Sequence, residues 1–324
     1  MKSPDICILM ATYNGAAYVE CQLKSIQSQT FQNWKLLIRD DGSTDSTTDI
    51  IDRYCSLDNR INRIDDTDHQ AHGPKENFSK LLTIALDSSA NIFMFCDQDD
   101  YWHSTKIEMF LRQATENRGP CLFFCDLELV DSHLVPLNTT FSFEKAFSSP
   151  NATTIASMLS LNHIPGCCIA FNRELAEIAD PIPVGAMMHD WWLALTAASC
   201  GRFLFINEKL VKYRQHEQNA VGITSLAQLL IKMKEWPGLW RSGADELCQT
   251  MRQAGKLAKR LKKREIRSVE SFEMLSNYAG IPNTGFYKRL KTANQMGLRK
   301  GRGVLRFILY LRLLSLSCGR KNDR

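Results

Sequence analysis

The sequence predicts an α/β fold: a mixed, mostly parallel sheet with helices on both faces, followed by a helical, basic C-terminal region. Three observations lead there. Over roughly the first 130 residues, short apolar runs of strand type alternate with amphipathic helical stretches. Polar clusters rich in Asp, Asn and Gly follow several of these runs directly. From about residue 225 the apolar periodicity becomes helical and stays so, while positive charge accumulates.

The runs at 6–10, 34–39, 92–96 and 121–125 are short, apolar and bounded by polar residues, as buried strands are. Between the first two, 17–29 places Val19, Leu23 and Ile26 at helical spacing. Residues 47–55 form a second helix with Ile50, Ile51 and Tyr54 on its apolar side, and 76–88 a third that turns Phe78, Leu81, Leu82 and Ala85 inward. The middle is less regular: 164–171 reads as a strand, 190–199 as a helix and 203–206 as another strand. Breaks near Pro237, Gly280 and 297–303 divide the helical remainder. This gives a catalytic-type domain over 1–224 and a helical region over 225–324.

Charge is unevenly placed. Residues 251–324 carry 19 Lys/Arg against 4 Asp/Glu, leaving 21 against 31 for the rest of the chain. An acidic body argues against nucleic acid as partner, since the basic tail lacks interleaved stacking aromatics. The 11 cysteines are scattered, with no CxxC pair, and several sit inside strand-like runs. That pattern suits reduced thiols in a cytosolic protein, and no secretion signal is visible at the N-terminus.

In a parallel α/β sheet, ligands bind beyond the carboxyl ends of the strands, so the polar residues there are the candidates. Ala11-Thr12-Tyr13-Asn14-Gly15 offers a hydroxyl donor, a stacking ring and a tight turn, or an ordinary strand–helix turn. In Asp40-Asp41-Gly42-Ser43-Thr44-Asp45, adjacent carboxylates suit a ribose diol or a base N–H, while Asp41 and Ser43 also suit helix capping. Asp97-Gln98-Asp99-Asp100 puts three carboxylates at the mouth of a buried strand, a hard-oxygen site of the kind Mg²⁺ or Mn²⁺ prefers. His189-Asp190-Trp191-Trp192 opens a helix, where Asp190 is a cap or a general base.

Taken in order, these clusters resemble family 2 glycosyltransferases of the GT-A fold, over roughly residues 4–222. Tyr213-Arg214-Gln215-His216-Glu217-Gln218-Asn219 resembles a segment of the bacterial rhamnosyltransferase subgroup. The resemblance implies an inverting enzyme that moves a sugar, rhamnose by the subgroup, from a UDP or dTDP donor. The acceptor would be a hydroxyl of a glycan or lipid-linked acceptor in cell-surface polysaccharide (O-antigen or capsule) synthesis. It assigns Thr12, Tyr13, Asn14, Asp41, Asn77, Asp97 and Asp99 to the donor nucleotide, and Asp99 and Asp100 to a divalent metal, Mn²⁺ or Mg²⁺. Asp190 takes the position of the catalytic base. Arg214, His216, Gly166 and Trp191 are candidates for diphosphate or acceptor contacts.

The stretch 303–316 is largely apolar and too short to span a bilayer. On a helical wheel Arg302, Arg306 and Arg312 fall within an arc of about 120°, the rest being leucine-rich. This suits a helix lying in the cytoplasmic face of the inner membrane, or one packed on the catalytic domain or against a second copy as a homodimer. Two other function classes stand beside the transferase. A sugar-nucleotide nucleotidyltransferase would carry a Gly-rich basic phosphate loop near the N-terminus, which is absent. A non-enzymatic membrane-binding module would leave the acidic clusters unexplained.

Overall fold

The computed structural model describes residues 6–65, 72–115, 117–137, 153–216, 236–266, 268–298, 309–313 and 316. In chain order the first half comprises β1 (Ile6–Thr12), α1 (Val19–Gln27), β2 (Trp34–Asp40), α2 (Thr47–Leu57), β3 (Ile61–Arg63), α3 (Pro74–Leu86), β4 (Ile92–Asp97), β5 (Tyr101–Trp102) and α4 (Lys106–Thr115). There follow β6 (Cys121–Val130), α5 (Ile155–Ser160), β7 (Ile169–Asn172), α6 (Arg173–Ala179), α7 (His189–Cys200) and β8 (Arg202–Arg214). The helices α8 (Trp236–Lys263), α9 (Val269–Gly280) and α10 (Phe286–Gln295) complete the described chain.

The strands form one 8-stranded sheet in the order β3-β2-β1-β4-β7-β6-β8-β5. β1 pairs in parallel with β2 and β4, and β6 with β8, while β7 runs antiparallel between β4 and β6. This is the mixed, mostly parallel sheet expected. Because β7 reverses direction once on each side, β1, β2, β4, β6 and β8 all end at the same edge. Register aligns the ends: Thr12 lies beside Asp40 and Ala11 beside Asp97.

Strand side chains alternate between faces, so β1 feeds two cores. Ile6, Ile8 and Met10 pack with Leu23, Ile26, Ile51 and Phe110, beneath α1, α2 and α4. Cys7 and Leu9 pack with Phe78, Leu82, Trp192 and Leu195, beneath α3 and α7. The C-terminal helices extend that second core without a break, through Leu247, Met251, Leu257, Leu261, Leu275 and Tyr278.

Several expectations need correction. The strand expected at 164–171 begins as a 3₁₀ turn at Gly166–Cys168, because Pro165 and Gly166 interrupt the extended run. The strands expected at 121–125 and 203–206 are far longer. Beyond Cys125 the polar Asp126 and Glu128 alternate with buried Leu127 and Leu129, and a bulge offsets the pairing, so continuous apolarity is lost although the ladder continues.

The tail differs too. Leu309, Leu313 and Leu316 are buried in the core shared with α8 and α9, and a Cβ on Gly243 would collide with the Arg312 guanidinium. The described part of the stretch is therefore turned onto the body, the packed alternative rather than a lipid-facing one. Arg302, Arg306 and 217–219 lie outside the described residues. Nine cysteines carry free thiols; Cys248 is disulfide-bonded, against the expectation of thiols throughout. Among the described residues no helix is long and apolar enough to cross a membrane.

Candidate active site

The common strand edge gathers the predicted clusters, and the turns that follow each strand bind one another. Asp40 is the hub of the first: its carboxylate accepts from Thr12 Oγ1 at 2.8 Å, Ser43 Oγ at 2.6 Å and Ser43 N at 2.7 Å. Asn14, held at φ 46°, donates its backbone N–H to Ser43 Oγ and accepts from Thr44 N, both at 2.8 Å. Thr12 is thus buried and occupied by Asp40, and it does not offer its hydroxyl to a base. Tyr13 is 50% exposed and presents its ring at the edge.

Asp41 is 4% exposed and accepts from Gly73 N at 2.7 Å, from His72 N at 3.1 Å and from Arg39 at 3.2 Å. It therefore caps the entry to α3, where the helix dipole favours a carboxylate. Asn77 is buried and donates to the Arg39 carbonyl at 2.9 Å, so it braces the strand end instead of facing outward.

Gln98 links this corner to the acidic turn. Its amide accepts from Tyr13 N and donates to Tyr13 O, both at 2.9 Å. A Cβ on Gly15 would lie 2.2 Å from it, so a side chain there would displace the Gln98 amide from Tyr13. No role was expected for Gln98, although it lies within the acidic motif itself.

The acidic turn is electrostatically crowded. Burial, then Asp99, then Asp190 push the Asp97 carboxyl up to about 7. Asp100 is fully buried and raised by burial, Asp99 and Asp97. One of its oxygens accepts from Arg214 N at 3.2 Å, and the other has no partner. Carboxylate oxygens of Asp97 and Asp100 and Cys167 Sγ lie within 4.8 Å of one another. Mg²⁺ and Mn²⁺ prefer oxygen, and the Cys167 thiol lies 3.8 Å from the Cys168 thiol, so the thiol is a neighbour of that site, not its natural ligand. An orphaned carboxylate oxygen amid mutually repelling acids is an arrangement a divalent cation relieves, and the residues fit one. The pair brought together is Asp97 with Asp100. Asp99, expected with Asp100, has its carboxylate 2.8 Å from His216 Nε2 and its charge acts on Asp100.

Arg214 lies beneath this turn. It is 4% exposed, donates to the Asp99 carbonyl at 2.7 Å and to the Ser132 carbonyl, and stacks over Tyr18 at 4.7 Å. It braces the acidic turn and is not placed to grip a diphosphate. Lys106, fully buried, donates to the Cys167 carbonyl at 2.7 Å and lies 3.5 Å over the Trp102 ring. Its charge offsets part of the repulsion at Asp97. Nothing in the sequence distinguishes this lysine from a surface one.

Asp190 arrives from the other side of the edge, at the start of α7. Burial pushes its carboxyl up to about 6, against hydrogen bonds from Trp191 N, Gly166 N and the Asn162 side chain. The Trp191 N–H bond is 2.6 Å long. Gly166 stands where a Cβ would come within 2.8 Å of His189 Nε2; its backbone thus acts on Asp190. Asn162, bonded also to Ile164 N at 3.1 Å, went unremarked in the sequence reading. Trp191 donates its indole N–H to the Met158 carbonyl at 2.5 Å and is 6% exposed, so it belongs to the core and offers no stacking face to a sugar. His189 is stacked on Phe78 at 4.0 Å and held neutral by burial, its pKa down at about 3.

The geometry therefore gathers at one sheet edge an exposed aromatic ring, a cation-ready acidic turn and a carboxylate of raised pKa. Comparison with known proteins bears on what it handles. The model of glycosyl transferase family 2 matches residues 7–178. The chain is 30% identical over 224 residues to the dTDP-rhamnosyl transferase RfbG of Shigella flexneri, covering 66% of this chain and 73% of that one. Over 112 residues it is 30% identical to the UDP-Glc:alpha-D-GlcNAc-diphosphoundecaprenol beta-1,3-glucosyltransferase WfgD of Escherichia coli, covering 35% of this chain and 42% of that one. The fold matches a mannosyltransferase from Pyrobaculum calidifontis solved with GDP-Man and Mn²⁺, at TM-score 0.53 and 16% identity, over 96% of this chain and 80% of that one.

Proposed function

From the premise that the chain belongs to glycosyl transferase family 2, we propose that it transfers rhamnose or a related hexose from a dTDP or UDP donor, with inversion, to a lipid-linked glycan acceptor at the cytoplasmic face of the inner membrane. The family carries the reaction class: a sugar moves from a nucleotide-sugar donor. The named substrates are proposals supported by the rhamnosyl and diphosphoundecaprenol relatives.

The observation that carries the mechanism is the convergence of the Asp97 and Asp100 carboxylates within 4.8 Å at the strand edge, with one buried Asp100 oxygen left without a partner. Asp97 and Asp100, with Asp99 beside them, would hold Mn²⁺ or Mg²⁺, which supplies positive charge for the departing diphosphate. Tyr13 offers its exposed ring to the base. Asp190 takes the proton from the acceptor hydroxyl at a carboxylate oxygen. As the acceptor's hydroxyl oxygen bonds to the anomeric carbon, the bond from that carbon to the donor phosphate breaks on the opposite face, and its electron pair leaves with the nucleotide diphosphate. A carboxyl near 6 is ionised at neutral pH yet basic enough to share a proton in the transition state.

A donor screen tests this. The protein is incubated with dTDP-rhamnose, UDP-glucose and GDP-mannose, with and without a diphosphoundecaprenol-linked acceptor, and nucleotide diphosphate release is followed. Release of dTDP or UDP that requires acceptor, with an inverted product, is expected. A product that retains the donor's anomeric configuration, or no release from any donor, would contradict it.

A further inference from the structure

The tail leucines are buried, yet the C-terminal region exposes apolar surface elsewhere. On α10, Phe286 is 52% and Tyr287 85% exposed, their rings in contact at 5.4 Å. At about 100° per residue, Leu290, Tyr287, Lys291 and Lys288 follow one another within about 160° of the helix surface, with Phe286 at its N-terminal edge. Lys288 and Lys291 are exposed and Leu290 is half-buried. Ala293 and Arg289 face the body: Ala293 is buried, and Arg289 donates to the carbonyls of Pro282, Thr284 and Leu316. The helix carries no acid, nor does the chain anywhere from residue 274 to 322, which holds ten Lys/Arg.

We infer that this face of α10 docks on an anionic phospholipid bilayer. Large aromatic side chains left in water beside ammonium groups fit the boundary between acyl chains and acidic headgroups. The opposite charge of the body favours that orientation: its excess of acid is repelled by the same surface that attracts the tail. The inference rests on the lipid-linked acceptor proposed above, and it locates the contact on α10, away from the packed residues 309–313 and 316.

The full chain is mixed with vesicles of phosphatidylcholine alone, or with phosphatidylglycerol added, and bound protein is measured by flotation without donor or acceptor. A failed docking surface is therefore distinguishable from a failed transferase. Wild type floats with the anionic vesicles only, and salt releases it. Phe286→Ser/Tyr287→Ser weakens binding by about tenfold or more, and Lys288→Gln/Lys291→Gln weakens it by about fivefold per lysine. Phe286→Trp/Tyr287→Trp retains binding, and all three variants keep the wild-type melting temperature because the side chains are exposed. Nucleotide release with a water-soluble acceptor stays at wild-type level in each. Failure of wild type to float with anionic vesicles, equal flotation of all variants, or a loss in these variants of self-association instead of flotation would overturn the inference.

Discussion

The acidic edge of the sheet and the helices beyond residue 236 face opposite problems. At the edge, burial raises the affinity of Asp97, Asp100 and Asp190 for protons, and like charge adds to it at Asp97 and Asp100. In the helices, apolar residues are neutralised by packing: Leu257, Leu261 and Leu313 vanish into the core that also holds Trp192 and Leu193 of α7. The first region holds unsatisfied charge in place for chemistry. The second supplies the rigidity that holds it there, because Arg260 of α8 binds the carbonyls of Ala179 and Pro181 and lies 4.9 Å over Trp192. Gln253 likewise accepts from Met187 N at 2.8 Å, two residues before α7 begins.

The sharpest separation of the two roles is Asp190→Asn. It is expected to lower kcat by about 10²–10⁴-fold while donor affinity stays within about twofold. The folded carboxyl titrates near 6, above its unfolded value of about 3.9, so the folded state binds the extra proton between those limits. Stability from this group is fully present below about pH 4 and is lost as pH rises through about 6. Asp190→Asn therefore melts above wild type at pH 7, with the advantage fading toward pH 4. In the wild type, kcat/KM falls about tenfold per pH unit below 6. A flat acid limb, or an unchanged turnover, would remove Asp190 as the base.

Leu257→Ala tests the second region. A fully buried leucine in a continuous core costs about 2–5 kcal/mol when truncated. Urea unfolding should show that loss in a single transition reported equally by α7 and α8. Two transitions, with only the later helices affected, would make the C-terminal region a separate unit.

How legible the two regions were in the sequence follows the same division. Apolar runs ending in polar clusters announce a strand edge, so β1, β2 and β4, with the carboxylates that follow β2 and β4, were readable. Partnering was not: Thr12, Asn77 and Arg214 carry suitable chemistry, but their hydrogen bonds run to Asp40, to the Arg39 carbonyl and to the Asp99 turn. Which acids converge depends on turn geometry, which brings Asp97 close to Asp100. In the tail, an amphipathic pattern states that one face is covered and leaves open by what; packing against α8 and lipid produce the same periodicity. β3 escaped notice because only Ile61 of its three residues is buried.

A smaller effect is expected at the link within the first region. Gln98→Ala breaks both bonds to the Tyr13 backbone and should cost about 1–3 kcal/mol. Donor KM should rise several-fold with kcat nearly unchanged, because the ring that meets the base loosens while Asp190 does not. A fall in kcat alone would place Gln98 in the chemistry instead.

The central claim is that acids from one turn, repelling one another at a buried strand end, are completed by a divalent cation that carries the donor's diphosphate. Isothermal titration of dTDP and UDP into the protein, with and without Mn²⁺, measures this directly. One nucleotide should bind at least about tenfold more tightly with Mn²⁺, and Asp100→Ala should abolish the difference while leaving the metal-free affinity as it was. Equal Mn²⁺ enhancement in wild type and Asp100→Ala would contradict the account.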